Sequence, residues 1–223
     1  SYINYLPLWN CLIFFLLPPK TIIGPITGTI QRKKFYWLIS LLEKISLIII
    51  KIRFEEIIFS NNFFVKKYSF KNQKVISNFI LKNFKFSKKN PKKKFDFVIY
   101  HRSISTLHTK YIYEMMNILK AYKYSFAVIG DRINLPGNKN FGYISRKKTQ
   151  KVISESKFAI SNPENLFSFF VQDCLSCKLK IFYNIFFKKF NSIKTKNLIP
   201  ISFESVKKDL KIILKIIKNK KYT

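Results

Sequence analysis

The sequence predicts an α/β chain built on parallel sheets, and three observations carry that prediction. Residues 158–160 and 180–183 are short apolar runs of strand character, each preceded by a segment of helical length. The order helix, strand, helix, strand builds a parallel sheet. Residues 95–100, FDFVIY, form a nearly continuous apolar run suited to a central strand covered on both faces. Between 87 and 94 lies SKKNPKKK, charged, proline-bearing and without apolar periodicity, which reads as a linker. The expected organisation is a partial first domain over 1–90, a second domain over 95–187, and a tail with a helix over 188–223.

Taken in order, residues 1–20 alternate apolar runs with Pro7, Pro18 and Pro19, which suits a loop and a short helix. In KTIIGPITGTI, residues 21–23 read as a strand and Gly24, Pro25 and Gly28 as a tight turn at its end. Such a turn serves either to bring backbone N–H groups near a ligand or simply to reverse the chain. From 33 to 52, apolar residues recur at steps of three and four, which predicts an amphipathic helix with Leu38, Leu42, Ile45 and Ile49 against a sheet. Trp37 and the lysines beside that face also fit a helix at a membrane interface. Residues 56–60 read as a strand and 75–84 as a helix with Ile76, Phe79 and Ile80 on one face.

The second domain opens on the 95–100 strand, followed by His101, Arg102 and Ser103. A helix over 108–121 leads to a strand at 125–129 that ends on Gly130, Asp131 and Arg132, and 141–144 form a third short strand. After the 158–160 strand comes SNPEN, where Pro163 cannot extend a strand and Ser161 or Asn162 can cap the next helix. Glu164 then stands at a helix N-terminus beyond the carboxyl end of a strand, the region where open α/β sheets bind ligands. The chain closes with residues 198–202 and a lysine-rich amphipathic helix over 203–217.

The chain has 223 residues, 48% of them hydrophobic, which supports a folded core. Its net charge of +31 comes from 42 basic and 11 acidic residues. Such a field attracts polyanions or an anionic membrane surface. Only five of the basic residues are arginine, and the abundance of Lys, Asn, Ile, Phe and Tyr is also what an AT-rich coding sequence produces, so compositional drift and selected electrostatics both account for the charge. Lysine lacks the bidentate geometry used to read bases, and no RNA-binding aromatic signature or zinc-finger spacing is present, so nucleic acid is not the expected partner. Cys11, Cys174 and Cys177 leave an odd thiol, which suits a reduced compartment. The C-x-x-C at 174–177 has no second pair or histidine cluster beside it and reads as two small hydrophobes. No run reaches about 18 uninterrupted apolar residues. The chain opens on Ser1 without methionine or a signal-peptide layout, which reads as a fragment or trimmed chain.

The pattern G-Y-I-S-R at 142–146, a helix, a short strand and then E-N-L-F-S-F-F-V-Q-D-C-L at 164–175 resembles the carboxyl-terminal domain of the GT-B glycosyltransferases. The resemblance covers residues 95–187 well and the first ninety-odd loosely. It implies two Rossmann-like α/β domains, the first incomplete. In that family two glutamates separated by seven residues contact a sugar nucleotide. Glu164 matches the first; the second position holds Gln172, with Asp173 beside it, and Cys177 stands where a small glycine-like residue is usual. The resemblance implies transfer of a sugar from a nucleotide donor to an envelope polysaccharide or a glycolipid, a glycan or lipid-linked acceptor, with no metal and no cofactor beyond the donor.

A diphosphate needs cations at a strand end. Arg102 offers a planar fork that grips two phosphate oxygens and stabilises the leaving group, and Lys110 can add a second charge. Glu164 accepts hydrogen bonds from sugar hydroxyls, and Gln172 can still hydrogen-bond a ribose as an amide. The expected catalytic residues are therefore Glu164 and Arg102. The expected donor contacts are Lys110, Gln172 and the backbone of Gly142, Tyr143, Ile144, Asn165 and Leu166. His101 and His108 are candidate bases by chemistry alone. The implied location is cytoplasmic, peripheral at the inner face of the membrane, where the basic surface meets anionic lipid. Two other readings stand beside this one: a non-catalytic, degenerate module of the same fold, and a basic nucleic-acid-binding protein resting on charge alone.

Overall fold

The computed structural model describes residues 6–19, 22–27, 36–59, 74–77, 91–103, 106–163, 166, 168–190 and 195–219. The chain divides into two compact units, Ser1–Leu81 with Phe190–Ser192, and Lys82–Lys189 with Ile193–Thr223. Both are mixed α/β with parallel sheets.

In the first unit, β1 (Leu6–Pro7), β2 (Ile23–Thr27), β3 (Glu56–Phe59) and β4 (Lys74–Ser77) form a sheet in that order, each neighbouring pair parallel. Helices α1 (Cys11–Leu16) and α2 (Tyr36–Arg53) accompany it. Gly24 and Pro25, expected in a turn, lie inside β2. The register shifts between Ile23 and Ile26, and a Cβ on Gly24 (φ +137°) would stand 2.3 Å from the Ile58 carbonyl oxygen of β3. Glycine is thus required by close strand approach at a bulge. The predicted helix over 75–84 is corrected in part: Val75 and Ile76 pair with Ile57 and Ile58 as strand, and the remainder of that segment lies outside the described residues.

The predicted buried face of α2 is also corrected. Ile50 is buried together with Glu43 and Ser46, whereas Leu38 and Ile45 are exposed and Leu42 and Ile49 are half-buried. The helix is apolar over most of its circumference, so spacing alone leaves its rotation undetermined. The described core of this unit comprises Leu8, Phe14, Ile23, Ile26, Ile50, Phe54, Ile57 and Phe59.

The second unit holds a six-stranded parallel sheet. Its strands are β5 (Phe95–His101), β6 (Phe126–Gly130), β7 (Lys139–Gly142), β8 (Ser156–Ile160), β9 (Lys180–Asn184) and β10 (Leu198–Ile201). Their spatial order is β10-β9-β8-β5-β6-β7. The first three strands run outward from β5 in one direction and the last three in the other, so the order reverses between β5 and β8. This is the strand order of doubly wound dinucleotide-binding folds. Helices α3 (Thr106–Ala121), α4 (Arg146–Ser154), α5 (Phe169–Ser176) and α6 (Val206–Lys218) cover the faces.

Side chains alternate across the sheet. Phe97, Ile99, Phe126, Val128, Phe158, Ile160 and Phe182 form one face, in a single core with Met115 and Met116 of α3 and Val206, Leu210 and Ile213 of α6. Val98, Ala127, Ala159 and Ile181, also buried, alternate with them toward the opposite face. The 125–129 strand runs to Gly130, and the expected strand at 141–144 occupies 139–142 instead, on the sheet edge. The residues read as a tail complete this unit: β10 pairs with β9 over Leu198–Ile201, and the last helix packs on α3.

Asp209 in the first turn of α6 ties these parts together. Its buried carboxylate accepts the Tyr111 hydroxyl of α3 at 2.6 Å, the Ser202 and Phe203 amides at 2.8 and 2.9 Å, and the Ser202 hydroxyl at 2.9 Å. Burial and the adjoining carboxylate both hold the Tyr111 hydroxyl protonated. Asp209→Ala strands several buried donors and should lower stability by about 3 kcal/mol, against about 1.5 kcal/mol for Tyr111→Phe, as read by urea denaturation. Equal, negligible losses in both would show that the α6 junction contributes little to the fold.

Candidate functional site

The reversal of strand order opens a crevice at the carboxyl ends of β5 and β8. A concavity there is lined by Tyr100, His101 and Arg102 from β5 and its exit, Ile112 from α3, and Ser161, Asn162 and Pro163 from the exit of β8. Its two sides are held separately. Ser161 N–H donates to the Phe182 carbonyl at 3.0 Å, and the Asn184 amide donates to the Pro163 carbonyl at 3.1 Å, fixing the β8 exit against β9. Across the crevice, the Tyr100 ring stacks on Phe170 of α5 with centroids 5.7 Å apart. The start of α5 is thereby drawn to the end of β5.

On the other side of β5, four residues form a polar cluster. Asp131, directly after β6, accepts the Ser103 amide and hydroxyl, both at 2.7 Å, and the Tyr143 hydroxyl at 2.6 Å. Arg102 lies beside the same Tyr143 hydroxyl. These contacts, the Ser103 amide foremost, hold the Asp131 carboxyl well below the ordinary carboxylate range, while the Asp131 hydrogen bond pushes the Tyr143 hydroxyl up. Gly130 makes the arrangement possible: at φ +95° its Cβ would fall 2.3 Å from the His101 carbonyl oxygen, the group that accepts the Asp131 amide at 3.0 Å.

Arg102 is exposed at the crevice, where a diphosphate-binding cation is expected. Lys110 is exposed on α3 and does not line the concavity. Gly142 and Ile144 flank Tyr143 at the end of β7; Gly142 is left-handed at φ +68°. Leu166 is a buried turn residue. Glu164 and Asn165 lie outside the described residues, as does the His108 side chain. The helix expected to begin at SNPEN begins instead at Phe169, and its cap is Ser168, whose hydroxyl accepts the Val171 amide at 3.3 Å. Ser161 and Asn162 therefore do not cap it. Gln172 is buried in the first turn of α5.

Asp173, beside it, is buried and accepts Arg146 and Gln150 of α4, each at 3.1 Å, so it fastens α5 to α4. Cys174 is buried and its thiol is pushed up, while burial raises Cys177 to about 11. Neither thiol is poised as a thiolate. Among the described residues, no group of His, Cys, Asp and Glu could hold a metal ion.

Sequence reasoning named Arg102 and Tyr143 but missed the cluster that holds them. Its signal was a polar residue just past the end of each of two apolar strands, Ser103 two residues after β5 and Asp131 directly after β6, which become neighbours only once β5 and β6 pair. No glycine occurs in H-R-S-I-S-T between β5 and α3.

No protein-family model matches the chain, and no curated protein matches it.

His101 is buried at the crevice, and burial lowers its pKa, with the Asp131 charge opposing in part. The unfolded chain therefore takes up this proton first, so the contribution to stability is full above the ordinary value of 6.5 and is lost as pH falls below it. Asp131 acts in the same direction lower down, its contribution present above 3.8 and lost with further acidification. In a proton NMR titration, the imidazole signal that disappears in His101→Gln should titrate below 6.5. A midpoint at or above that value would contradict the buried, neutral imidazole.

Proposed function

We propose that the second unit binds the diphosphate of a nucleotide sugar in the crevice between β5 and β8, and that the chain is a glycosyltransferase of GT-B type acting on a glycan or lipid-linked acceptor of the cell envelope. The observation that carries this reading is the placement of Arg102 in a concavity at the reversal of strand order, beside the N-terminal end of α3. Arg102 grips the diphosphate and offsets the charge that grows on it as the sugar departs. The Ser103–Asp131–Tyr143 cluster holds the loop that carries Arg102. Glu164 receives the sugar hydroxyls, and the exit of β7 at Gly142, Tyr143 and Ile144 meets the base. Lys110, on the same helix as the lining residue Ile112, adds a longer-range positive charge. The acceptor side belongs to the first unit.

A second reading, a module that binds the nucleotide without turning it over, is favoured by one observation. The acidic side chain nearest the second donor position, Asp173, is buried and already engaged by Arg146 and Gln150. Gln172 alone remains there, without charge.

UDP or GDP at about a hundred times its dissociation constant should stabilise the chain by about 2.7 kcal/mol, and Arg102→Ala should abolish that rise. An unchanged rise in the variant would remove Arg102 from the site. Turnover separates the two readings: Glu164→Gln should cut transfer from the sugar nucleotide at least about tenfold, the loss of a hydrogen bond to a charged group. Nucleotide binding with no transfer or hydrolysis in the wild type would favour the binding module.

A further inference from the structure

Helix α2 buries polar side chains beside Ile50 and leaves much of its apolar surface exposed. Glu43 is 4% exposed and Ser46 fully buried on the side facing the unit's core, and among the described residues no partner meets the Ser46 hydroxyl. On the opposite side Trp37, Leu38, Leu41, Ile45, Ile48 and Ile52 form an exposed stripe at helical steps of three and four, with Trp37 69% and Ile52 78% exposed. In water an exposed stripe of this size is costly, because it hydrates large aliphatic side chains. The cost falls where the outer face meets hydrocarbon.

Helix α1 also exposes apolar residues. Arg53 at the end of α2 donates to the Leu17 carbonyl at 2.8 Å and sits 5.7 Å from the Phe15 ring centre. Beside it Leu12, Phe15 and Leu16 are exposed. Six large apolar residues of α2 and three of α1 are thus exposed on two helices that pack together, more than scattered surface residues would give. Lys44 and Lys51, both exposed, border the α2 stripe along one flank. At 18 residues α2 is about 27 Å long, yet among the described residues no helix is long and apolar enough to cross a membrane.

We propose that this α1–α2 face is a membrane-docking surface that lies in the interface of an anionic bilayer, its aliphatic stripe below the headgroups, Trp37 at their level and Lys44 and Lys51 against lipid phosphates. Charge selects this occupant over a second copy of the chain, since two bodies of +31 repel while an anionic surface attracts them. The inference stands on the first unit alone and is independent of the nucleotide site.

The test uses the full chain with vesicles of phosphatidylcholine mixed with phosphatidylglycerol, and with phosphatidylcholine alone. Trp9→Phe leaves Trp37 as the single tryptophan. Trp37 emission should shift to the blue on mixed vesicles and be quenched by lipids brominated near the headgroup end of the acyl chain. Sedimentation with mixed vesicles should exceed that with neutral ones and weaken as salt approaches about 1 M, where screening is complete within about 3 Å. Leu41→Gln with Ile48→Gln, both at exposed positions and checked by circular dichroism, should reduce partitioning at least about tenfold. Binding that survives this double substitution unchanged, an unquenched Trp37, equal binding to neutral vesicles, or a salt-stable oligomer lost in the double variant would each overturn the proposal, the last pointing to a protein partner on this face.

Discussion

The ring of Phe97 lies at the centre of β5, stacked on Phe126 of β6 at 5.2 Å and tilted against Phe158 of β8 at 5.7 Å and Phe182 of β9 at 6.5 Å. The pairing follows the same registry, Phe97 opposite Phe126 on one side and opposite Phe158 on the other. A slip of one residue in any of these strands would turn its phenylalanine to the opposite face and separate the rings. With the register pinned at this end, the exits of β5, β6 and β8 fall where they do. His101, Arg102 and Ser103 leave the sheet beside Asp131 on one edge and beside Ser161, Asn162 and Pro163 on the other. The crevice follows from the core.

The same physics explains what the sequence disclosed. Strands β5, β8 and β9 are buried on both faces and read as apolar runs too short for helices, so their position survives translation from pattern to structure. Residues 198–202 stand out in the sequence and read as part of a tail; their place as the sixth strand depends on pairing with β9, which local pattern does not carry. Around α2 nearly every side satisfies a three-and-four spacing, so the periodicity identified the helix and not its buried face. Val75 and Ile76 fit one turn of a helix as well as a short strand, and pairing with β3 decided between them. Gly24 and Pro25 carry the usual turn signature, overridden by the close approach of Ile58.

At the site, the charged and strand-terminal residues were legible and their bonding was not. Arg102 could be named because it follows a central strand. The Asp131 cluster brings together positions 103, 131 and 143, which only the sheet makes neighbours. Helix α5 shows the opposite failure. Ser161 or Asn162 offered a cap in sequence, but Asn184 claims the Pro163 carbonyl and Ser168 supplies the cap further on. Asp173, beside the position where the resemblance implies a second carboxylate, proved to be a fastening between α4 and α5, a role that required knowing both helices.

The proposed nucleotide site lies in one place, the crevice at the reversal of strand order. Crystals of the chain grown with UDP or GDP test it most directly through the difference density of the nucleotide. The account predicts a diphosphate between the Arg102 guanidinium and the N-terminal end of α3, with the base toward Gly142 and Tyr143. A nucleotide bound elsewhere on the second unit, with Arg102 still turned to Tyr143 and the crevice empty, would contradict it.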